Sequence, residues 1–198
     1  MNHLAHALLA DPGGPEFALG SAMGDFIHGV PDPSWPAERQ AGLRFHRAID
    51  GFTDRHPQVV AARGLFRPPM RRYAGIALDI WFDHLLVLGW DRSVPDEPLD
   101  AFSRRWLGLL DQRAGDLTAS LRAFTRWMHA HGLPQAYGDE TTLDEVFRAL
   151  AQRLSRPSPL GESLPALRAH AADLQRRFDA FFPDLMSHAC DLRGNLLA

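Results

Sequence analysis

Apolar residues recur along this chain at helical spacing. Leu4, Leu8 and Leu9 mark a short opening helix that stops at Asp11-Pro12-Gly13-Gly14-Pro15. Glu16 to His28 reads as a second helix, broken by Gly29-Val30-Pro31-Asp32-Pro33. Pro36 suits the first turn of a third, reaching Phe52, and a short helix follows Pro57. Met70 to Trp90 is long, apolar and rich in helix formers. Beyond the spacer Val94-Pro95-Asp96-Glu97-Pro98, Leu99 to Leu117 is amphipathic, and Thr118 to His131 ends at Gly132 and Pro134. Thr142 and Glu145 have capping-box spacing and predict a helix to Leu154. Pro165 to Asp191 forms the last helix, with Pro183 bending or interrupting it. No window alternates like a strand, and no repeat or low-complexity stretch is visible. The pattern predicts one all-α domain over residues 1–198, a helical bundle.

Composition narrows the class. With 198 residues, 45% hydrophobic and 23% charged, the chain has the make-up of a soluble globular protein with a sizeable core. Its net charge is −3, and all 21 basic residues are Arg, so no global field favours nucleic acid. The single Cys190 excludes an internal disulfide and a Cys-based zinc site. Met1-Asn2-His3-Leu4-Ala5-His6 lacks the basic start of a secretory signal. The most apolar window, Ile76 to Trp90, carries Asp79, Asp83 and His84, which a lipid-spanning helix would have to bury. No membrane partner is expected, and a cytoplasmic location is.

Several polar residues sit where apolar ones belong. His3 and His6 are three apart on the opening segment, and His6, flanked by Ala and Leu, is the better ligand candidate. Asp25 lies in apolar Ala22-Met23-Gly24-Asp25-Phe26-Ile27, where burial is costly unless the carboxylate is paired, capped or metal-bound. His46 and Asp50 are four apart, so both can meet one ion, although a plain ion pair has the same spacing. Asp54 is either a further ligand or a cap for the helix after Pro57. Asp79 and Asp83 repeat the four-residue spacing among Ile76, Ile80, Trp81, Phe82, Leu85 and Leu86. Two acids on such a face repel unless a cation or proton separates them. His84 stands one step further round as a ligand or its supporting partner. Arg63, Arg67, Arg71 and Arg72, with Arg104 and Arg105, form either a solvated face or a landing surface for an acidic protein or a phosphate. His6, Asp25, His46, Asp50, Asp79 and Asp83 offer only N and O donors, which suit Mn²⁺, Mg²⁺ or Fe²⁺. Helix bundles build metal sites from such inward side chains, and metal-assisted phosphoester hydrolysis is the chemistry expected.

At these residues the chain resembles the acyl carrier protein phosphodiesterase family. The resemblance rests on Asn2-x-Leu4-Ala5-His6, Gly24-Asp25-Phe26, His46-Arg47-x-Ile49-Asp50-x-x-Thr53-Asp54 and Leu78-Asp79-x-x-x-Asp83-His84. Phe178-x-x-Phe181-Phe182-Pro183-x-x-Met186 near the end resembles the family's closing pattern. It implies an all-α fold distantly like the HD-domain metal phosphohydrolases. It also implies a Mn²⁺-dependent hydrolysis that frees 4′-phosphopantetheine from the serine of holo-acyl carrier protein. On that expectation Asp25, His46, Asp50 and Asp79 hold the metal, and His6 and Asp83 ligate or support it. His84 or His6 donates a proton to the leaving alkoxide, and Arg47 pairs with phosphate. The competing expectations are an HD-like phosphohydrolase of nucleotides or other small phosphate esters, and a non-catalytic helical binding protein. Oligomeric state is left open.

Overall fold

The computed structural model describes residues 3–154 and 156–198. Among them no residue forms a strand, and eleven α-helices follow in order. They are α1 (His3–Ala10), α2 (Pro15–Ala22), α3 (Ala37–Arg55), α4 (Pro57–Gly64), α5 (Ala74–Leu88) and α6 (Trp90–Ser93). The rest are α7 (Leu99–Gln112), α8 (Ala119–Ala130), α9 (Glu140–Arg153), α10 (Ser163–Ala169) and α11 (Ala171–Leu197). The all-α expectation holds, and one hydrophobic cluster runs from Leu4 to Ala189.

Helix ends depart from the sequence reading in several places: α3 runs on to Arg55, α7 stops at Gln112 instead of Leu117, and four others have a visible local cause. α2 stops at Ala22, because Met23–Phe26 turn and present Asp25. The apolar run from Met70 begins as a 3₁₀ turn, Met70–Tyr73, and breaks at Gly89. α9 starts at Glu140, since the Asp139 side chain accepts from Thr141 N at 3.0 Å and supplies the cap expected from Thr142. The last helix is two, divided at His170, and α11 runs through Pro183 without interruption.

Two buried helices, α1 and α5, sit at the centre. α1 is short but buries Leu4, Ala5, His6, Ala7, Leu9 and Ala10, packing against α2, α3, α5 and α11. α5 buries ten of its fifteen residues, Trp81 and Phe82 among them. Most of its apolar side chains are buried, with Ile76 and Leu88 exposed, and no helix among the described residues is long and apolar enough to cross a membrane. α2 and α3 lie unusually close. A methyl group on Gly20 would stand 1.9 Å from the Arg39 carbonyl oxygen, and one on Gly42 would stand 2.0 Å from that of Phe17. Only glycine admits such backbone approach. This contact sets α3, and with it His46, against the turn that follows α2.

Candidate active site

His46 and Asp50 lie one turn apart on α3, and α1 lays His6 beside them. The His6 and His46 rings stack with centroids 3.7 Å apart and 15° between planes. His6 Nε2 donates to Asp50 Oδ1 at 2.9 Å, while His46 Nε2 lies 3.2 Å from Asp50 Oδ2. Asp25, from the turn after α2, brings Oδ1 to 3.3 Å from His46 Nε2. The turn reaches that far only because residue 24 is glycine: a methyl group there would sit 2.1 Å from His46 Cγ. One donor atom each from His6, His46 and Asp50 fits within 4.8 Å of the others.

Electrostatics divide the cluster. Burial pushes His6 down to about 4, and the adjacent His46 adds to the effect against the pull of Asp50. Burial also opposes charge on His46, yet hydrogen bonds and attraction from Asp25 and Asp50 outweigh it and push His46 up to about 9. Burial raises both carboxyls, but neighbouring imidazoles overcome it, His46 with His3 and His6 for Asp25 and His46 with His6 for Asp50, and hold both well below the usual carboxylate range. Two stacked rings cannot both carry charge cheaply, so one positive charge sits between two ionised acids. His6 Nδ1 and His46 Nδ1 are buried without a hydrogen-bond partner.

The cluster borders a cleft of about 340 Å³, lined by His3, Asp25, Phe26, Ile76, Asp79 and Arg153 among others. His3 Nδ1 lies 3.8 Å from Asp25 Oδ2, and burial pushes His3 down to about 4. Asp79 thus faces the same space as Asp25, and burial raises its carboxyl. Asp83 is placed elsewhere. Its two oxygens accept from Leu4 N at 2.8 Å and Ala5 N at 3.2 Å, where they satisfy the first turn of α1. Burial pushes Asp83 up to about 7 against those bonds. His84 is buried and donates from Nδ1 to the Tyr137 carbonyl oxygen at 2.7 Å. Arg47 donates to the carbonyls of Gly29 at 2.6 Å and Ile27 at 2.9 Å, tying the loop after Asp25 to α3. Asp54 pairs with Arg63.

Six residues of this cleft were not site candidates in the sequence reading: Phe26 in the turn after α2, Ile76 and Ile80 on α5, Phe124 on α8, and Leu150 and Arg153 on α9. The expected proton donor His84 is outside its lining, and so is the expected phosphate partner Arg47. His3, set aside in favour of His6, lines the cleft and packs against Phe124 with centroids 4.2 Å apart and the rings tilted by 41°. Its three-residue spacing from His6 was the available signal, whereas Phe124 and Leu150 read as ordinary apolar faces of amphipathic helices.

The sequence matches the acyl carrier protein phosphodiesterase family over residues 1–185. A Photorhabdus laumondii protein named acyl carrier protein phosphodiesterase is 35% identical over 192 residues, covering 96% of this chain and 95% of its own. Proteins of the same name from Yersinia enterocolitica and Escherichia coli O157:H7 are 34% and 33% identical, each over 96% of this chain and 98% and 97% of their own. No solved structure matches. A match over nearly the whole length, on both sides of every pair, leaves one conclusion: the chain belongs to the acyl carrier protein phosphodiesterase family.

Proposed function

We propose that this chain hydrolyses the phosphodiester joining 4′-phosphopantetheine to a serine of holo-acyl carrier protein, leaving apo-carrier. The reading is carried by the stacked His6–His46 pair facing Asp50 and Asp25 at the edge of a cleft, in a chain whose relatives bear that name. The donor set fits a divalent ion: two imidazole nitrogens that share Asp50, and two ionised carboxylates, Asp25 and Asp50, within reach of His46 Nε2. His6, His46, Asp50 and Asp25 are the residues that would hold it. Their mixed nitrogen and oxygen character favours Mn²⁺ or Fe²⁺ over Mg²⁺, which prefers oxygen and water. Such an ion supplies charge to the nonbridging phosphoryl oxygens and acidifies water.

The rest of the chemistry falls to side chains. Asp25, ionised and exposed toward the cleft, orients the attacking water by accepting a hydrogen bond from it, and the proton that water sheds passes to the solvent of the open cleft. As the new bond from water to phosphorus forms, the bond from phosphorus to the serine oxygen breaks. That oxygen needs a proton. Asp79 shares the cleft, and burial shifts its carboxyl toward the protonated form, which makes it the donor assigned to that oxygen. His84, committed to Tyr137, and Arg47, committed to Gly29 and Ile27, act through position: one anchors α5, the other the loop behind Asp25.

Arg67, Arg71 and Arg72 are exposed, whereas Arg104 and Arg105 are engaged by Asp100, Asp11 and Glu97. The free group is therefore the surface offered to an acidic carrier protein. Exchanging Arg71→Glu together with Arg72→Glu should depress turnover of holo-carrier about tenfold more than turnover of a small phosphodiester. Equal losses on both would reject docking there.

The deciding experiment incubates metal-free protein with holo-acyl carrier protein, with and without Mn²⁺, and reads intact mass. Loss of the phosphopantetheine mass only with Mn²⁺ is expected. An intact carrier, beside active turnover of nucleotides or other small phosphate esters, would move the substrate to that class.

A further inference from the structure

The cleft beside Asp25 does not end at the polar groups. Beyond them lies a narrower cavity of about 50 Å³ enclosed by α5, α8 and α9 and the Gln135–Gly138 turn. The two spaces share His3, Ile80, Phe124, Leu150 and Arg153 in their walls, so they adjoin across those side chains. Character changes along the way. The near end carries the carboxylates of Asp25 and Asp79; the far end is walled by Trp127, Tyr137, Val146 and Ala149. Arg153 stands where the two meet and is exposed.

A phosphodiester presents two arms on either side of its phosphorus. On the reading proposed above, one is a folded protein, far too large for a cleft of about 340 Å³. The other is a slender chain bearing a geminal dimethyl carbon, two amides and a thiol. We propose that this channel is the binding site for the pantetheine arm, with Phe124, Ala149 and Leu150 as its specificity-determining walls. Apolar walls take up the dimethyl carbon and methylene segments, and the Arg153 guanidinium meets an amide carbonyl or a phosphoryl oxygen. The carrier then stays outside, with its serine at the mouth. This makes the arm itself, and not only the carrier's surface, a source of recognition.

The proposal rests on the phosphodiesterase reading, and its test separates the two. Ala149 and Leu150 are half-buried, so Ala149→Phe and Leu150→Phe narrow the channel from its open side. Each should raise KM for holo-carrier about tenfold relative to its effect on methyl 4-nitrophenyl phosphate, a diester without the arm. Equal effects on both substrates, in variants with native helical circular dichroism, would overturn the channel. Metal-free protein titrated with pantetheine alone provides a second readout through the Trp127 indole N–H resonance. A saturable shift that Ala149→Phe abolishes supports the channel even if holo-carrier proves not to be a substrate; no shift at saturating pantetheine overturns it while leaving hydrolysis intact.

Discussion

Gly24 shows how much of the site hangs on a residue with no side chain. His46 occupies the space where a Cβ on residue 24 would lie, 2.1 Å from its ring, so the turn and the imidazole exclude any other choice. Gly24→Ala should displace His46 from Asp25 and Asp50, lowering Mn²⁺ affinity about 10–100-fold, the range for losing a ligand's support. Helical circular dichroism should persist, since the turn lies outside α2 and α3. Unaltered affinity by titration calorimetry would remove His46 from the ligand set. Spacing made His46 and Asp50 legible as a pair, and an acid in an apolar stretch made Asp25 legible. The same reasoning coupled Asp79 with Asp83, and here structure divides what spacing joined. A four-residue interval puts two side chains on one helical face but says nothing of which neighbour meets each. The first turn of α1 lands on Asp83 and takes both its oxygens, leaving Asp79 to the cleft.

Among elements, the helical periods were readable almost throughout, whereas their ends were set by groups that periodicity does not weigh. α9 begins at an Asp139 cap, and α2 ends early so that its turn can reach α3. Long-range pairing fixes α2 as well. Glu16, in its first turn, accepts from Arg39 Nε at 2.7 Å and Arg113 Nη2 at 2.5 Å, and Arg113 Nε also donates to Asp116 at 2.7 Å. Burial alone would raise Glu16, but the two guanidinium groups hold it below the usual range; Arg113, above all, does the same for Asp116. The sign follows. With a folded pKa below the unfolded one, the contribution is complete above the ordinary Glu value near 4.5 and fades as pH falls through the folded value. Glu16→Gln should therefore lower the melting temperature at neutral pH and differ progressively less from wild type as pH falls below 4.5. A gap that stayed constant across that range would show that the carboxylate's charge does not contribute. The modest exposure of these groups keeps the effect small.

At the scale of the molecule, the site exists because segments distant in sequence converge: α1 from one end, the turn after α2, and α3, with α5 behind them. Sequence could name the donors, since polar residues stranded on apolar faces are conspicuous. It could not show convergence, nor the channel, because that is enclosed by faces of α8 and α9 whose apolar residues look like ordinary core. Convergence has a thermodynamic consequence. An ion bound by His6, His46 and Asp50 links α1 to α3 only in the folded state, so it must stabilise folding by mass action. At one hundred times its dissociation constant the gain is about 2.7 kcal/mol, which for a chain of this size moves Tm by about 5–10 °C. Mn²⁺ added to chelator-treated protein should produce that rise, and EDTA should reverse it. His46→Ala removes the ring shared by Asp25 and Asp50 and should abolish the shift while the variant still melts cooperatively. If neither Mn²⁺, Fe²⁺ nor Mg²⁺ moves the wild-type transition, the cluster is an internal ion-pair network. The chain would then be a helical binding protein built on a phosphodiesterase scaffold.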